Sequence, residues 1–297
     1  RFSKPVRFGP YSLKAILLSP SSRWNYSLKH RILIKESVSQ NPMRIITANL
    51  NGIRAAAKKG FFTWLAEQNA DIVCIQETKA QQHQLTDPLF HPTGYHCYYH
   101  DAEKKGYSGV ALYARQKPDE VIVGIGWPEI DKEGRYLEAR FSNINFVSLY
   151  LPSGTSGTER QDFKYQFMDK FLPYLRELGT KEYIISGDWN IAHKKIDIKN
   201  WRSNQDHSGF LPEERAWLDQ LLDTEGFIDA FRVVNQETSQ YTWWSNRGQA
   251  WKNNTGWRID YQIITPGLKD KVQSASIYKD ERFSDHAPLT IDYSVVL

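Results

Sequence analysis

The chain has 297 residues, 40% of them hydrophobic and 13% aromatic, with a mean hydropathy of −0.58, so it is long and apolar enough for one large core or two small ones. No apolar run approaches the ~20 residues of a membrane-spanning helix, which excludes that class and points to a soluble globular protein. The formal charge of +4 is unevenly placed: Arg1 to Pro42 carry eight Lys or Arg and one acid, leaving 30 bases against 33 acids, or −3, for the rest. Bulk charge is therefore no argument for nucleic-acid binding, and any affinity for phosphate has to come from a local patch or a metal.

Residues 1–42 are basic, Ser-rich and without periodicity, and read as an extension preceding a single domain over 43–297. Three origins fit: a cloning-derived or upstream-translated leader, which is favoured, an organellar transit peptide, or a basic arm. From Met43 the pattern becomes regular. Arg44 to Thr47 reads as a strand, Gly60 to Gln68 as a short helix and Ile72 to Ile75 as a strand carrying Cys74. Strand-like runs follow at Gly109 to Ala114, Tyr136 to Phe141, Asn145 to Leu149 and Tyr183 to Ser186. Glu159 to Leu178 and Pro212 to Glu225 are the strongest helices, the second with Pro and acids in its first turn. Strands resume at Ile259 to Thr265, Val272 to Ile277 and Leu289 to Tyr293. No Pro/Gly/Ser linker divides the domain, and the interleaving predicts a mixed α/β sandwich. Two cysteines, Cys74 and Cys97, cannot build a disulfide framework, so a reducing, cytoplasmic setting is expected, or an organelle if residues 1–42 are a transit peptide.

The informative regularity is what borders each apolar strand. Asn49, Glu77, Tyr150, Asp188 and Asn190 follow strands, whereas Asp260 and the Asp285-His286 pair precede them. Because the start of one antiparallel strand lies beside the end of its neighbour, all these segments can converge on one sheet edge. Individually such residues are ordinary turn formers. Together they form a set of carboxylates, amides, a phenol and one imidazole, which suits magnesium, or manganese in its place, better than zinc. That set also suits phosphodiester hydrolysis: a cation polarises the phosphoryl oxygen, a carboxylate activates water, and an Asp-paired imidazole neutralises charge on the phosphate.

Seven short motifs carry a resemblance. In order they are Thr47-Ala48-Asn49-Leu50-Asn51-Gly52, Gln76-Glu77-Thr78-Lys79, Gly106-Tyr107-Ser108-Gly109-Val110, Tyr150-Leu151-Pro152, Gly187-Asp188-Trp189-Asn190, Gly256-Trp257-Arg258-Ile259-Asp260-Tyr261 and Ser284-Asp285-His286. Their order and spacing, together with Gly209 to Arg215, resemble the exonuclease III and abasic-site endonuclease family from Met43 to the C-terminus. The resemblance implies a DNase I-like, four-layer α/β sandwich of two mixed sheets flanked by helices. It also implies a magnesium-dependent DNA-repair hydrolase acting on double-stranded DNA with abasic sites or blocked 3′ ends, as a monomer. By the same resemblance Glu77 is the principal metal ligand, with Asn49, Asn51 and Asp285 nearby and Asp188 and Asn190 facing the ion. Asp188 activates water, Asn190 orients it, His286 contacts the phosphate and is fixed by Asp260, and Tyr150 assists. Trp243, Trp257 and Ile259 resemble the walls of a pocket for a flipped-out abasic sugar, and Tyr107 a groove contact.

Two positions depart from the family pattern. His207 stands where relatives that cut abasic sites often carry Asn, which points to terminal 3′ work over internal incision. Gly154-Thr155-Ser156-Gly157 lacks an Arg that some relatives insert into DNA. His83, His91, His96 and His100 have no zinc-site spacing and read as surface residues. His193 and Asp197 read as loop-stabilising, and Lys58-Lys59 and Lys194-Lys195 as solvated surface or phosphate contacts. The competing readings are a phosphatase for inositol phosphates or a sphingomyelinase, and, in another class, a non-catalytic DNA-binding protein.

Overall fold

The computed structural model describes residues 41–178 and 181–297, so the expected extension over 1–42 falls outside the described residues apart from its last two positions. In chain order the strands are β1 (Met43–Asn49), β2 (Ile72–Gln76), β3 (His96–His100), β4 (Val110–Ala114), β5 (Glu120–Val123), β6 (Tyr136–Arg140) and β7 (Ile144–Tyr150). They continue as β8 (Glu182–Asp188), β9 (Ile228–Asp229), β10 (Trp243–Trp244), β11 (Gly256–Trp257), β12 (Asp260–Ile264), β13 (Val272–Ile277) and β14 (Leu289–Tyr293). Helices are α1 (Ile53–Lys58), α2 (Phe61–Glu67), α3 (Pro128–Asp131), α4 (Thr158–Arg176), α5 (Pro212–Asp219) and α6 (Ala230–Val234).

One sheet runs β13-β14-β1-β2-β4-β3 and the other β5-β6-β7-β8-β12-β9; each has one parallel pair, β1 with β2 and β7 with β8, among antiparallel neighbours. The expected pair of mixed sheets flanked by helices is therefore present. Between the sheets lies a core of Ile45, Ile72, Leu112, Phe146, Ile184 and Ile264. Phe61, Trp64 and Leu65 of α2 cover the outer face of the first sheet, and Phe167, Phe171, Trp217 and Leu218 of α4 and α5 cover that of the second. The spacing of those apolar residues is that of a helix buried along one stripe.

Period-two alternation explains the site's position. Along β1, β7, β8 and β12 the inward-facing residues grade from apolar (Ile45, Phe146, Ile184, Ile264) through Thr47, Ser148, Ser186 and Gln262 to Asn49, Tyr150, Asp188 and Asp260. Register aligns these ends: Asp260 stands opposite Asp188, and Tyr150 lies beside Asp188 across the parallel β7–β8 pair. The strand expectations for Val272 to Ile277 and Leu289 to Tyr293 coincide with β13 and β14. The helix expected over Pro212 to Glu225 instead ends at Asp219 and continues as a π-turn over Gln220–Thr224. Strands β3, β5 and the two-residue β9, β10 and β11 were not anticipated; β3 and β5 are half-exposed sheet edges where apolar alternation is weak, β9 is a further edge, and β10 and β11 pair in a small sheet of their own. No helix among the described residues is long and apolar enough to cross a membrane.

Candidate active site

Asn49 bridges two carboxylates at the centre of the polar edge. Its Nδ2 donates to Glu77 Oε1 (2.8 Å) and to Asp188 Oδ2 (2.9 Å), while its Oδ1 accepts from the Asn51 amide (3.0 Å). Bridging the two sheets, His286 Nδ1, from the segment before β14, lies 2.9 Å from Asp260 Oδ2, which leaves Nε2 turned toward Asp188 Oδ2 at 3.9 Å. Asn49, Asp188 and Asp260 are 1% exposed and His286 5%, so these groups interact with little solvent screening. Asp285 is held from two sides, by Asn51 Nδ2 (2.9 Å) and Trp243 Nε1 (3.2 Å).

Burial pushes the Asp188 carboxyl up to about 8; Asp260 and Glu77 add to the rise and the His286 charge opposes it. Burial alone lowers the His286 pKa, but the charge and hydrogen bond of Asp260, with Asp188 and Asp285, overcome it and raise the imidazolium to about 10. Asp285 is held below the usual carboxylate range: burial opposes, and His286 with the bonds from Asn51 and Trp243 prevails. A carboxyl near neutrality and an imidazole kept protonated make a proton acceptor and a cationic donor within one site.

Glu77, Asp188 and His286 each present a ligand atom within 4.8 Å of the others. The Lys79 ammonium lies 2.8 Å from Glu77 Oε2 and also bonds Asn51 Oδ1, so the oxygen donors already draw a cation to their outer side. Carboxylate oxygens without thiolate fit a hard metal ion, and Asn49 meets them through its Nδ2, its oxygen accepting from the Asn51 amide. Of the residues expected to hold it, Asn49, Glu77 and Asp188 meet directly. Asn190 lies two residues on, its amide donating to Asp188 Oδ1 (2.9 Å) and its Nδ2 to the Leu151 carbonyl (2.8 Å). Five non-glycine residues here hold left-handed backbone: Asn51 (φ 45°), Glu77 (51°), Lys79 (49°), Ser108 (44°) and Asn190 (52°).

The remaining sequence candidates surround this centre. Trp243 and Trp257 meet edge to face at 5.9 Å and pack with Ile259, Phe210 and Ile198, and the Trp243 ring lies 6.5 Å from the His286 ring. Thr242 ties this wall to the catalytic strand by accepting from the Ile259 and Asp260 amides (3.1 Å each). His207 is exposed, paired with Asp206, on the loop that brings Gly209 against Trp257. Tyr107 is half-buried and accepts from Arg135 Nη2 (3.0 Å).

Sequence reasoning missed Arg135. It is 1% exposed, lies 4.5 Å under the Tyr150 ring, and donates to the Tyr150 carbonyl (3.0 Å). The charged run Glu133, Arg135 before an apolar strand was the available signal. A cavity of about 160 Å³ beside Asn51 and Asp285 is lined by Lys59, Asn246 and Arg282, the last also unanticipated. His91, read as a surface residue, is exposed, its ring bonded to the Leu85 carbonyl, whereas His100 is half-buried and bonded to the Tyr136 carbonyl. His193 and Asp197 do stabilise loops but not through each other: His193 pairs with Asp219 and Asp197 with Arg258 and Arg232.

A two-sheet sandwich with an acidic, Asp–His-backed cleft at one edge defines a class of metal-assisted phosphoesterases. The endonuclease/exonuclease/phosphatase family profile matches residues 46–286. The chain belongs to that family and is a hydrolase of the nuclease type. It is 41% identical to the exodeoxyribonuclease of Bacillus subtilis (strain 168), over 84% of this chain and 98% of that protein. It is 37% identical to the DNA repair nuclease APEX1 of Danio rerio, over 85% and 83% of the two chains. Among solved structures, an AP endonuclease from Archaeoglobus fulgidus superposes with a TM-score of 0.78 at 27% identity, covering 85% of this chain and 100% of the other. The 3′ phosphatase NExo from Neisseria, bound to product DNA hairpin, superposes with a TM-score of 0.79 at 26% identity, covering 85% and 100%.

Proposed function

We propose that this chain is a magnesium-dependent DNA-repair phosphodiesterase, manganese substituting, that works as a monomer on duplex DNA at abasic sites or blocked 3′ ends. The observation that carries the reading is the unbroken set of contacts from Glu77 through Asn49 to Asp188 and on to His286 and Asp260. Glu77 is the principal holder of the cation, with Asn49, Asp188, Asn190 and Asp285 around it. When bound, the ion supplies Lewis-acid polarisation of a phosphoryl oxygen. Asp188 takes the proton from the attacking water and Asn190 orients that water. Ionised, the Asp188 carboxylate is the acceptor, and its raised pKa makes it a stronger base than a free carboxylate. His286, protonated, donates from Nε2 to the phosphate, and Asp260 fixes its tautomer and charge. Tyr150 borders the reacting atoms on the Arg135 side.

Substrate contacts fall to Asn51, Tyr107, His207, Trp243, Trp257 and Ile259. The two indoles and Ile259 form an apolar wall beside His286, which supports a sugar without its base over an inositol phosphate. The two free cysteines, Cys74 and Cys97, support a reducing, cytoplasmic setting. The test is a panel of three labelled duplexes in magnesium: an internal abasic site, a 3′ phosphate, and an undamaged recessed 3′ end. Activity on at least one is expected, with Asp188→Asn slower by roughly 10²–10⁴-fold at unchanged melting temperature. Near-normal turnover by that variant would remove Asp188 from the chemistry.

A further inference from the structure

Lys164 of α4 and Glu214 of α5 form an ion pair at 2.6 Å with both side chains 0% exposed. Burying two charges is costly unless every remaining donor and acceptor is satisfied. Here the partners that satisfy them belong to functional loops. Lys164 Nζ donates to the Asn190 carbonyl (2.8 Å). Glu214 accepts from the amides of Gly209 (2.6 Å) and Leu211 (3.1 Å), from Ser208 Oγ (3.4 Å) and from Gln161 Nε2 (3.1 Å). Helix packing does not need the pair, since Phe167, Met168, Trp217 and Leu218 already join α4 to α5 and Trp217 Nε1 donates to the Met168 carbonyl (2.9 Å).

The two loops so anchored pack directly against each other. The Ala192 amide donates to the Gly209 carbonyl (2.7 Å), and a Cβ on Gly209 would meet the Trp257 ring at 3.0 Å and the Asn190 carbonyl at 3.3 Å. The Asn190 turn has bonds of its own to Asp188 and Leu151, whereas the Gly209 and Leu211 amides both depend on Glu214.

We propose that the buried Lys164–Glu214 pair is a specificity-determining positioning unit, holding the 208–211 loop against Trp257 at a fixed distance from the Asn190 turn. The inference rests on the function proposed above and adds which substrates feel the loop. A sugar flipped out of an intact strand and seated against Trp243 and Trp257 would border this loop, which packs on Trp257. A terminal 3′ phosphate needs only Asp188, His286 and the cation site. Loosening the loop therefore penalises internal incision over terminal hydrolysis.

The test replaces the pair by residues of similar volume, Lys164→Met with Glu214→Leu, which keeps the helices packed and removes the loop's acceptor. Amide hydrogen exchange at 208–211 is expected to quicken at least about tenfold, with α4 and α5 unchanged. kcat/KM on the internal abasic duplex is expected to fall roughly 10–100-fold, mainly through KM, and on the 3′-phosphate duplex by less than about threefold. Lys164→Met with Glu214→Gln, which retains an acceptor for Gly209 and Leu211, is expected to restore most of the loss. Glu214→Asp, one methylene short but still paired, guards against misfolding of the apolar variant and must shift selectivity the same way. Unchanged exchange at 208–211, or parallel loss on both duplexes, overturns the proposal. A wild-type protein inactive on every duplex defeats the functional reading and the selectivity claim together, while the exchange comparison still decides whether the pair holds the loop.

Discussion

Left-handed backbone at a non-glycine residue costs about 1–2 kcal/mol, and Asn51, Glu77, Lys79, Ser108 and Asn190 all adopt it within one site. Such strain persists only where surrounding bonds over-determine it, as Asn49 and Lys79 do for Glu77. What the strain achieves is direction: a strand continuing past Gln76 would carry Glu77 to the outer face, and the left-handed turn brings it back to Asn49. His207 is the other residue whose role is chemical in detail. Its exposed imidazole stands on the loop whose Gly209 packs against Trp257, and we expect it to crowd an extrahelical sugar held at the indoles. Replacing it with Gly or Ser is expected to raise internal abasic-site cleavage by about tenfold while leaving 3′-phosphate removal nearly unchanged. Equal abasic-site rates for wild type and variant would dispose of this role.

At the scale of elements, the site depends on how strands end. The β2–β4 pairing is prolonged past Gln76 by hydrogen bonds from the Thr78 amide to the Gly109 carbonyl (3.0 Å) and from the Lys79 amide to the Ser108 carbonyl (2.8 Å). Gly109 has φ 87°, and a Cβ there would lie 2.2 Å from Thr78 Oγ1. Gly109→Ala therefore meets both a backbone penalty and a clash, together about 1–3 kcal/mol. Thermal melting is expected to show a drop of several degrees. Because Thr78 adjoins Glu77, more divalent metal should be needed for half-maximal activity. A melt and a metal titration that match wild type would show that Thr78 relaxes without moving Glu77.

Across the whole molecule, a second buried charge network stands beside the indole pair and joins distant segments. Asp197 accepts from Arg258 Nε (2.8 Å) and Arg232 (2.6 Å), and Arg258 also reaches Asp229 (2.6 Å). Burial would raise the Asp197 carboxyl, but the two guanidinium groups overcome it and hold the group at about 2. Its folded pKa is thus below the ~3.9 of an unfolded chain. The stabilisation is complete above about pH 4 and disappears as pH falls toward 2, and amounts to roughly 2–3 kcal/mol at neutrality. Urea titrations at pH 7 and pH 3 are expected to show Asp197→Asn much less stable than wild type at the higher pH, with the gap narrowing at the lower. A pH-independent difference would mean that the carboxylate's charge is not what holds Arg258.

The amino-acid order alone determined most strands of the sandwich, the polar residues at their ends and the family to which the chain belongs. Those features are local: alternation reveals which residues point inward, and short motifs keep their spacing whatever the fold does around them. Which carboxylates would share a site was not local. Asp188 meets Asp260 through antiparallel register between β8 and β12, and Asn49 spans to Glu77 and Asp188 from 28 and 139 residues away. Strand pairing and register depend on which surfaces exclude water together, and periodicity names a face without naming its partner. The Lys164–Glu214 pair and the seat of Arg135 under Tyr150 depend on such pairing, whereas the edge strands β3 and β5 alternate too weakly to be read. An isolated Lys, Arg or Glu reads as solvated surface until tertiary packing removes the solvent and supplies the opposite charge.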